Sequence, residues 1–335
     1  MGHSNISFFI PHAGCPHKCS FCDQRSISGA LFQPDGEYVR KVCAEVLESS
    51  SSPQDTEIAF FGGSFTAVPR DYMLELLEAA SEFIGEGRFK GIRISTRPDY
   101  IDKDVLTILR KYGVTAIELG AQSCDDRVLE LNERGHTRED IVRASHLIQK
   151  SGFELGLQMM IGLYGSTVTS EYDTANCICY IRPDTVRIYP VVILKNTRLG
   201  ELYQSGEFKP FDFDEVVRMA ADFMLRFQEN GIRVIKVGLH ASQLVEQDML
   251  GGFYHPAFRE LCEGMIYREL IERELKPLKD IDYAHFLVPE RELSKALGQK
   301  KANLRYFEDK GIELKISPDH SLKDKLRLIE SGKRK

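Results

Sequence analysis

Residues 6–24 read ISFFIPHAGCPHKCSFCDQ, a strand-like run closed by a proline and followed by Cys15, Cys19 and Cys22 within eight residues. A disulfide uses two thiols, and a tetrahedral zinc site uses four ligands. Three is the number that suits a 4Fe–4S cubane with one iron left open, since such clusters are normally held by one Cys thiolate per iron. An open iron can chelate a small molecule through an amine and a carboxylate. Zinc stays as an alternative, with His12 or His17 as the fourth ligand. The spacing C-x-x-x-C-x-x-C, with Phe21 just before the third thiol, argues against a chance cluster.

Composition sets the surroundings of this loop. The chain has 335 residues, 42% hydrophobic and 28% charged, which indicates one large globular domain or a large domain with an appendage. No run of about 18 apolar residues occurs, so no membrane span is expected. The N-terminus lacks the charged-then-apolar pattern of a secretory signal, which points to the cytoplasm. Eight cysteines there read as thiols and metal ligands rather than disulfides. The net charge of −6 is uneven: residues 271–335 carry 16 Lys and Arg against 12 Asp and Glu. A basic tail can serve solubility alone, or it can meet a polyanion.

Strand-like runs alternate with helix-like ones along the chain. Strands are expected at 6–10, 57–61, 91–95, 115–120, 154–161 and 184–192, then at 232–239 after a helix at 213–230. Helices are expected between them, two of them ending at Gly113 and Gly152, where a C-cap glycine fits. Six β-then-α units in a row predict a parallel sheet with helices outside it, open or curled into a barrel. Ligands of such sheets bind at the C-terminal ends of the strands. The polar and glycine motifs gather there: the cysteine loop after the first strand, GGSF after the second, STRPD after the third and AQS after the fourth. Gln158 lies within the fifth.

The C-x-x-x-C-x-aromatic-C loop after a first strand resembles the signature of the radical S-adenosylmethionine (radical SAM) superfamily. That resemblance implies a partial (β/α)6 parallel barrel and a 4Fe–4S cluster on Cys15, Cys19 and Cys22. It also implies S-adenosylmethionine chelated to the unique iron, and a one-electron donor such as flavodoxin or ferredoxin. Reductive cleavage of the C–S bond would give a 5′-deoxyadenosyl radical that abstracts a substrate hydrogen. FFGGSF is similar to the family's glycine-rich motif, so Gly62, Gly63 and Ser64 are candidate contacts to the methionine amino group. Many members carry Glu at the position of Ser64. Ser95, Thr96 and Arg97 resemble third-strand contacts to the carboxylate or ribose. Gln122 and Gln158 are candidate contacts from the fourth and fifth strands, against the alternative of buried amides satisfied by backbone. GAQSCDDRVLELNERGHT, QMMIGLYGST and VRIYPVVILKNTRLGELYQSGEFK resemble the radical SAM domain of Elongator protein 3, a tRNA-modifying family. A more distant likeness is to oxygen-independent coproporphyrinogen dehydrogenases. No acetyl-CoA loop is recognisable, so acetyl-CoA is not expected as a ligand.

The other five cysteines, Cys43, Cys124, Cys177, Cys179 and Cys262, show no compact three-ligand spacing and read as packed thiols. Cys124, beside the fourth-strand rim, is the one to watch. His240 ends an expected strand and is a candidate acid or base, against the alternative of a structural histidine. Residues 285–317 read as strand, helix, tight loop, helix, strand, with Gly311 ending the second helix. This resembles the core of a KH RNA-binding domain, which clamps single-stranded nucleic acid against a glycine loop. Gly298, Lys300, Lys301, Asn303 and Arg305 are then the candidate RNA contacts, with Lys301 standing where the KH loop has its second glycine. A cap with no RNA role is the alternative.

The expected organisation is a barrel over 1–240, a helical connection over 241–278 and a small α/β KH-like domain over 279–335. The expected function is a cytoplasmic radical SAM enzyme acting on RNA, with tRNA first. A small metabolite or tetrapyrrole is a rival substrate. An RNA-binding protein with a structural or sensory cluster is the rival of a different class.

Overall fold

Single charged or small residues recur at every second place in otherwise apolar runs, and a β-strand sends alternate side chains to opposite faces. The strands are β1 (Ser4–Ile10), β2 (Thr56–Gly62), β3 (Gly91–Thr96), β4 (Val114–Gln122), β5 (Glu154–Ile161), β6 (Thr185–Pro190), β7 (Val192–Leu194) and β8 (Arg233–Val237). This is a computed structural model, and it describes residues 4–10, 19–23, 32–240 and 242–333. Seven strands form one sheet in the order β1-β2-β3-β4-β5-β6-β8, and the pairs from β1 to β6 are parallel. A strand order that follows the chain, joined by right-handed crossovers, puts every helix on one face. The other face becomes the interior of a partial barrel.

The helices of this stretch of chain are α1 (Gly36–Ser49), α2 (Arg70–Ser81), α3 (Lys103–Lys111), α4 (Asp126–Leu131), α5 (Arg138–Lys150), α6 (Val168–Ile181), α7 (Arg198–Gln204) and α8 (Phe213–Glu229). Their starts are written in the sequence. Asp35, Asp102 and Asp125 cap α1, α3 and α4, while Thr137 and Thr167 form capping boxes on α5 and α6. Gly113 and Gly152 follow α3 and α5 at φ +78° and +76°, as expected of C-cap glycines. Beneath the helices lie Ile58, Phe60, Ile92, Ile94, Ile117, Leu119, Leu155 and Leu157, all fully buried.

The apolar run at 184–192 proves to be two strands. Pro190 ends β6, because proline has no N–H to give to a ladder. β7 then pairs antiparallel with β9 (Met249–Gly252), which follows α9 (Gln243–Asp248). No helix among the described residues is long and apolar enough to cross a membrane.

The chain divides into two compact units: Met1–Phe211, Phe227–Lys236 and His240–Tyr254 in one, Asp212–Arg226, Val237–Leu239 and His255–Lys335 in the other. The second unit is built on α10 (Phe258–Leu275), β10 (Tyr283–Val288), α11 (Leu293–Leu297), α12 (Ala302–Asp309), β11 (Glu313–Pro318) and β12 (Arg327–Gly332). Its sheet runs β11-β10-β12, with β10 parallel to β11 and antiparallel to β12. Residues 258–275, expected as part of a connection, belong to this unit's core. Ile271 and Leu275 of α10 pack with Ala284, Phe286, Phe307 and Leu314, and Tyr267 packs with Val288 and Ala296.

Candidate functional site

Cys15 lies outside the described residues, as do His12 and His17. Cys19 and Cys22 share a turn, the Cys22 N–H donating to Cys19 O at 3.1 Å, and both are half-buried beside the buried Phe21. Among the described residues no three His, Cys, Asp or Glu converge as a metal site. The loop is fastened to residues that follow α4. Ser20 Oγ donates to Asn132 Oδ1 at 2.8 Å, and its N–H to Asn132 O at 3.2 Å. Arg134 Nη1 donates to Cys19 Sγ at 3.0 Å, and Nη2 to Gly120 O at 2.7 Å. The first turn of α7 closes the loop from another side, Leu199 N–H donating to Ser20 O at 2.8 Å.

The turn after β2 folds over the end of β1. Gly62 sits at φ +103°, where a Cβ would meet Ile10 O at 3.0 Å, so only glycine is comfortable there. Gly63 N–H donates to Ile10 O at 2.8 Å. An amine bound here would need acceptors, which this turn offers as carbonyl oxygens and the hydroxyl of the buried Ser64.

The third strand corrects part of the expectation. Ser95 faces the barrel interior, where its Oγ accepts from Gln158 Nε2 at 3.2 Å. Thr96 points the other way, its hydroxyl 2.6 Å from that of Thr66 in a buried pair, so it is closed to a ligand. Arg97 is also buried, with Nε and Nη2 on Asp99 at 3.0 and 3.1 Å and a further bond to Arg134 O. Its guanidinium holds two rim loops together instead of awaiting a carboxylate.

At the end of β4 a bulge puts Gln122 at φ +65°. Three buried polar atoms near it lack partners among the described residues: Gln122 Oε1, Arg134 Nε and His136 Nδ1. Native interiors rarely leave such groups unmet, and three at one strand end mark a place for a polar ligand. These unmet atoms, the close approach at Gly62 and the guanidinium on Cys19 fit a cysteine-bound cluster with a ligand carrying an amine and a carboxylate. His136 Nε2 donates to Ala121 O at 3.2 Å. Burial, then the neighbouring Arg134 charge, lowers its pKa from 6.5 to about 4. The unfolded chain therefore takes up this proton near pH 6.5 and the folded chain only near 4. Stability present above pH 6.5 is lost as the pH falls through that window. His136→Gln is expected to flatten the fall, read as the urea midpoint against pH; an unchanged slope would assign the loss to other groups.

The interior face carries a charge ladder that the sequence reading missed. Arg93 donates to Glu57 at 2.7 Å, Glu154 at 2.8 Å and Glu118 at 3.4 Å. Glu118 also accepts from Arg187 at 2.6 and 2.8 Å and from Gln158 at 2.9 Å. Gly156 makes room, since a Cβ there would lie 2.8 Å from Glu118 Cγ. Burial raises the pKa of Tyr189, one residue pair above on β6, and Arg187 partly opposes that rise. Gln158 thus belongs to this network. The available signal was the lone charge at alternate positions of strands read simply as apolar.

His240 is exposed after β8, with Lys236 Nζ 3.1 Å from its Nδ1. Partial burial, then Lys236 and Arg187, lower its pKa. In the second unit, Gly298 at φ +71° ends α11, and Lys300 and Lys301 follow at φ +51° and +60°. Both lysines and Arg305 are exposed. Asn303 is a correction: it is buried, its Nδ2 donating to Gly264 O at 2.8 Å and Ala296 O at 2.9 Å, while its Oδ1 accepts from Arg268 at 3.1 Å. It ties the loop to α10 and offers nothing to RNA.

A family model for the radical SAM superfamily matches residues 9–177, and one for the Radical_SAM C-terminal domain matches 183–287. A tRNA uridine(34) acetyltransferase of Methanocaldococcus infernus is 28% identical over 258 residues, 65% of this chain and 48% of that protein. Elongator complex protein 3 of Mus musculus is 32% identical over 199 residues, 53% of this chain and 36% of that protein. The chain therefore spans half or less of the length of these relatives. Among solved structures, that of archaeal Methanocaldococcus infernus Elp3 with an N-terminal deletion superposes with a TM-score of 0.55 at 22% identity, covering 73% of this chain and 61% of that one. At that identity the likeness establishes the fold.

Proposed function

The chain belongs to the radical SAM superfamily, and from that premise we propose that it is a cytoplasmic enzyme that modifies RNA, tRNA first, by hydrogen abstraction. The observation that carries the substrate is the sequence relationship to tRNA uridine(34) acetyltransferases across 65% of the chain. Acetyl transfer is not part of the proposal. Cys15, Cys19 and Cys22 would hold a 4Fe–4S cluster, and Gly62, Gly63, Ser64 and Gln122 would meet S-adenosylmethionine. Bound together and supplied with one electron by a flavodoxin- or ferredoxin-type donor, these groups supply reductive C–S cleavage and a hydrogen-abstracting radical. The chain's own residues fix the cysteine loop through Asn132 and Arg134 and keep the barrel interior polar through Glu118, Gln158 and Arg187. His240 is the candidate proton carrier at the end of β8. Modified nucleosides of tRNA from cells with and without the gene test the reading. Identical profiles would sink the RNA substrate and favour a small metabolite.

The second unit would add affinity for the phosphate backbone. Lys300 and Lys301 occupy left-handed backbone conformations that side chains adopt at a cost. Asn303 holds that shape from below, so two ammonium groups stand out from one loop. Each phosphate contact to single-stranded nucleic acid contributes about −0.7 to the slope of log affinity against log salt. Replacing both lysines by Ala is expected to flatten that slope by roughly 1.4 if each makes one contact. Affinities measured across several salt concentrations decide it; equal slopes would make the unit a cap.

A further inference from the structure

Among the described residues of the barrel unit, Arg93, Arg97 and Arg134 are buried and Arg187 is half-buried; Arg93, Arg97 and Arg187 face carboxylates. Arg134 differs. It is 7% exposed, and among the described residues no carboxylate pairs with it. Its Nη1 bonds Cys19 Sγ at 3.0 Å, its Nη2 bonds Gly120 O at 2.7 Å, and its Nε has no acceptor among the described residues. A desolvated guanidinium without a counter-charge is strongly unfavourable, so the site calls for a negative group at the sulfur it touches. The arginine is also held firmly. Arg97 donates to its carbonyl oxygen, and the adjacent Asn132 grips Ser20.

We propose that Arg134 is the fixed counter-cation of the cysteine-bound cluster, a positioning residue that acts through Cys19 and sets the cluster's reduction potential. The inference rests on the reading of Cys15, Cys19 and Cys22 as cluster ligands. In the step concerned, one electron passes from the external one-electron donor to the cluster, and no protein bond forms or breaks. The reduced cluster carries one more negative charge, so a cation at a ligand sulfur favours the reduced state. Hydrogen bonds to cluster sulfurs and net charge are established determinants of such potentials.

The test uses the full chain, reconstituted anaerobically with iron and sulfide, as wild type, Arg134→Gln and Arg134→Lys. Iron content is measured first, and each cluster is then titrated with a one-electron reductant. Wild type without iron would end the cluster reading itself, before any variant is compared. With wild type loaded, Arg134→Gln is expected to show about tenfold less reduced cluster at a fixed poise, a shift of about 59 mV to more negative potential. Arg134→Lys should keep most of the wild-type potential, because the charge remains. Loss of the cluster from Arg134→Gln alone, with the Lys variant near wild type, supports the same assignment. A wild-type potential in Arg134→Gln overturns it. So does an equal shift in both variants or loss of the cluster from both, since charge is then not what matters.

Discussion

Replacing Cys15, Cys19 or Cys22 by Ala is expected to abolish the visible absorbance and bound iron of the anaerobically reconstituted protein. A cubane with three protein ligands has no spare thiolate, so loss of one leaves two irons without protein anchors. Two of the remaining thiols, Cys43 and Cys262, are poorly suited to substitute. Burial pushes the Cys43 thiol up to about 12 and the Cys262 thiol higher still. A thiol that stays protonated is not a ligand. Cys124, the thiol nearest the β4 rim, is buried and hydrogen-bonded to Cys177, which turns both inward. Cys43→Ala and Cys262→Ala should therefore retain a full complement of iron. Stoichiometric zinc in place of iron in the wild type, or a normal cluster in Cys19→Ala, would refute the three-thiolate site.

Arg93→Met should destabilise the barrel by about 3–5 kcal/mol, the range expected when one partner of a buried ion pair is removed. Arg93 and Glu57 are fully buried, Glu118 is 1% exposed, and Glu57, Glu118 and Glu154 meet at the one guanidinium. Thr115 Oγ1 at 3.2 Å and Lys90 at 3.9 Å remain beside Glu57 without replacing that guanidinium. Methionine fills much of the arginine stem's volume, so the loss reports charge rather than a cavity. The exposed pair Arg40–Glu82 supplies the contrast. Arg40→Ala should leave the urea midpoint at the wild-type value, as surface ion pairs commonly do. A midpoint for Arg93→Met close to wild type would show that the carboxylates are protonated or hydrated in the fold.

Seven strands and most helices were legible because each carries its own period and its own cap. The site was legible in part, and the reasons are physical. Ser95, Thr96 and Arg97 were expected to act together, but Thr96 points to the opposite face from its strand neighbour Ser95, and Arg97, past the end of β3, is taken by Asp99 and Arg134 O. The ladder of Glu57, Arg93, Glu118 and Arg187 was hidden because each charge stands alone in an apolar run. Its meaning appears only once register sets β2, β3, β4, β5 and β6 side by side. Arg134 and His136 lie in LNERGHT, a stretch whose family likeness was visible while its contacts were not. The bond from Arg134 to Cys19 joins residues 115 positions apart. Asn303 matched a loop pattern, yet burial made it a tie to α10. The edge strand β12, exposed and short, carries almost no apolar signal.

The grip of Asn132, Arg134 and Leu199 on the cysteine loop also imposes a calendar on the making of the molecule. The thiols leave the ribosome more than a hundred residues ahead of the groups that fix their loop. At about 5–20 residues per second, the interval is roughly ten to forty seconds. Throughout it the cysteines are loose, oxidisable and open to any passing metal. Iron loading into a shaped site must therefore await the strands and helices that follow, so the cysteine loop is made well before it can be completed.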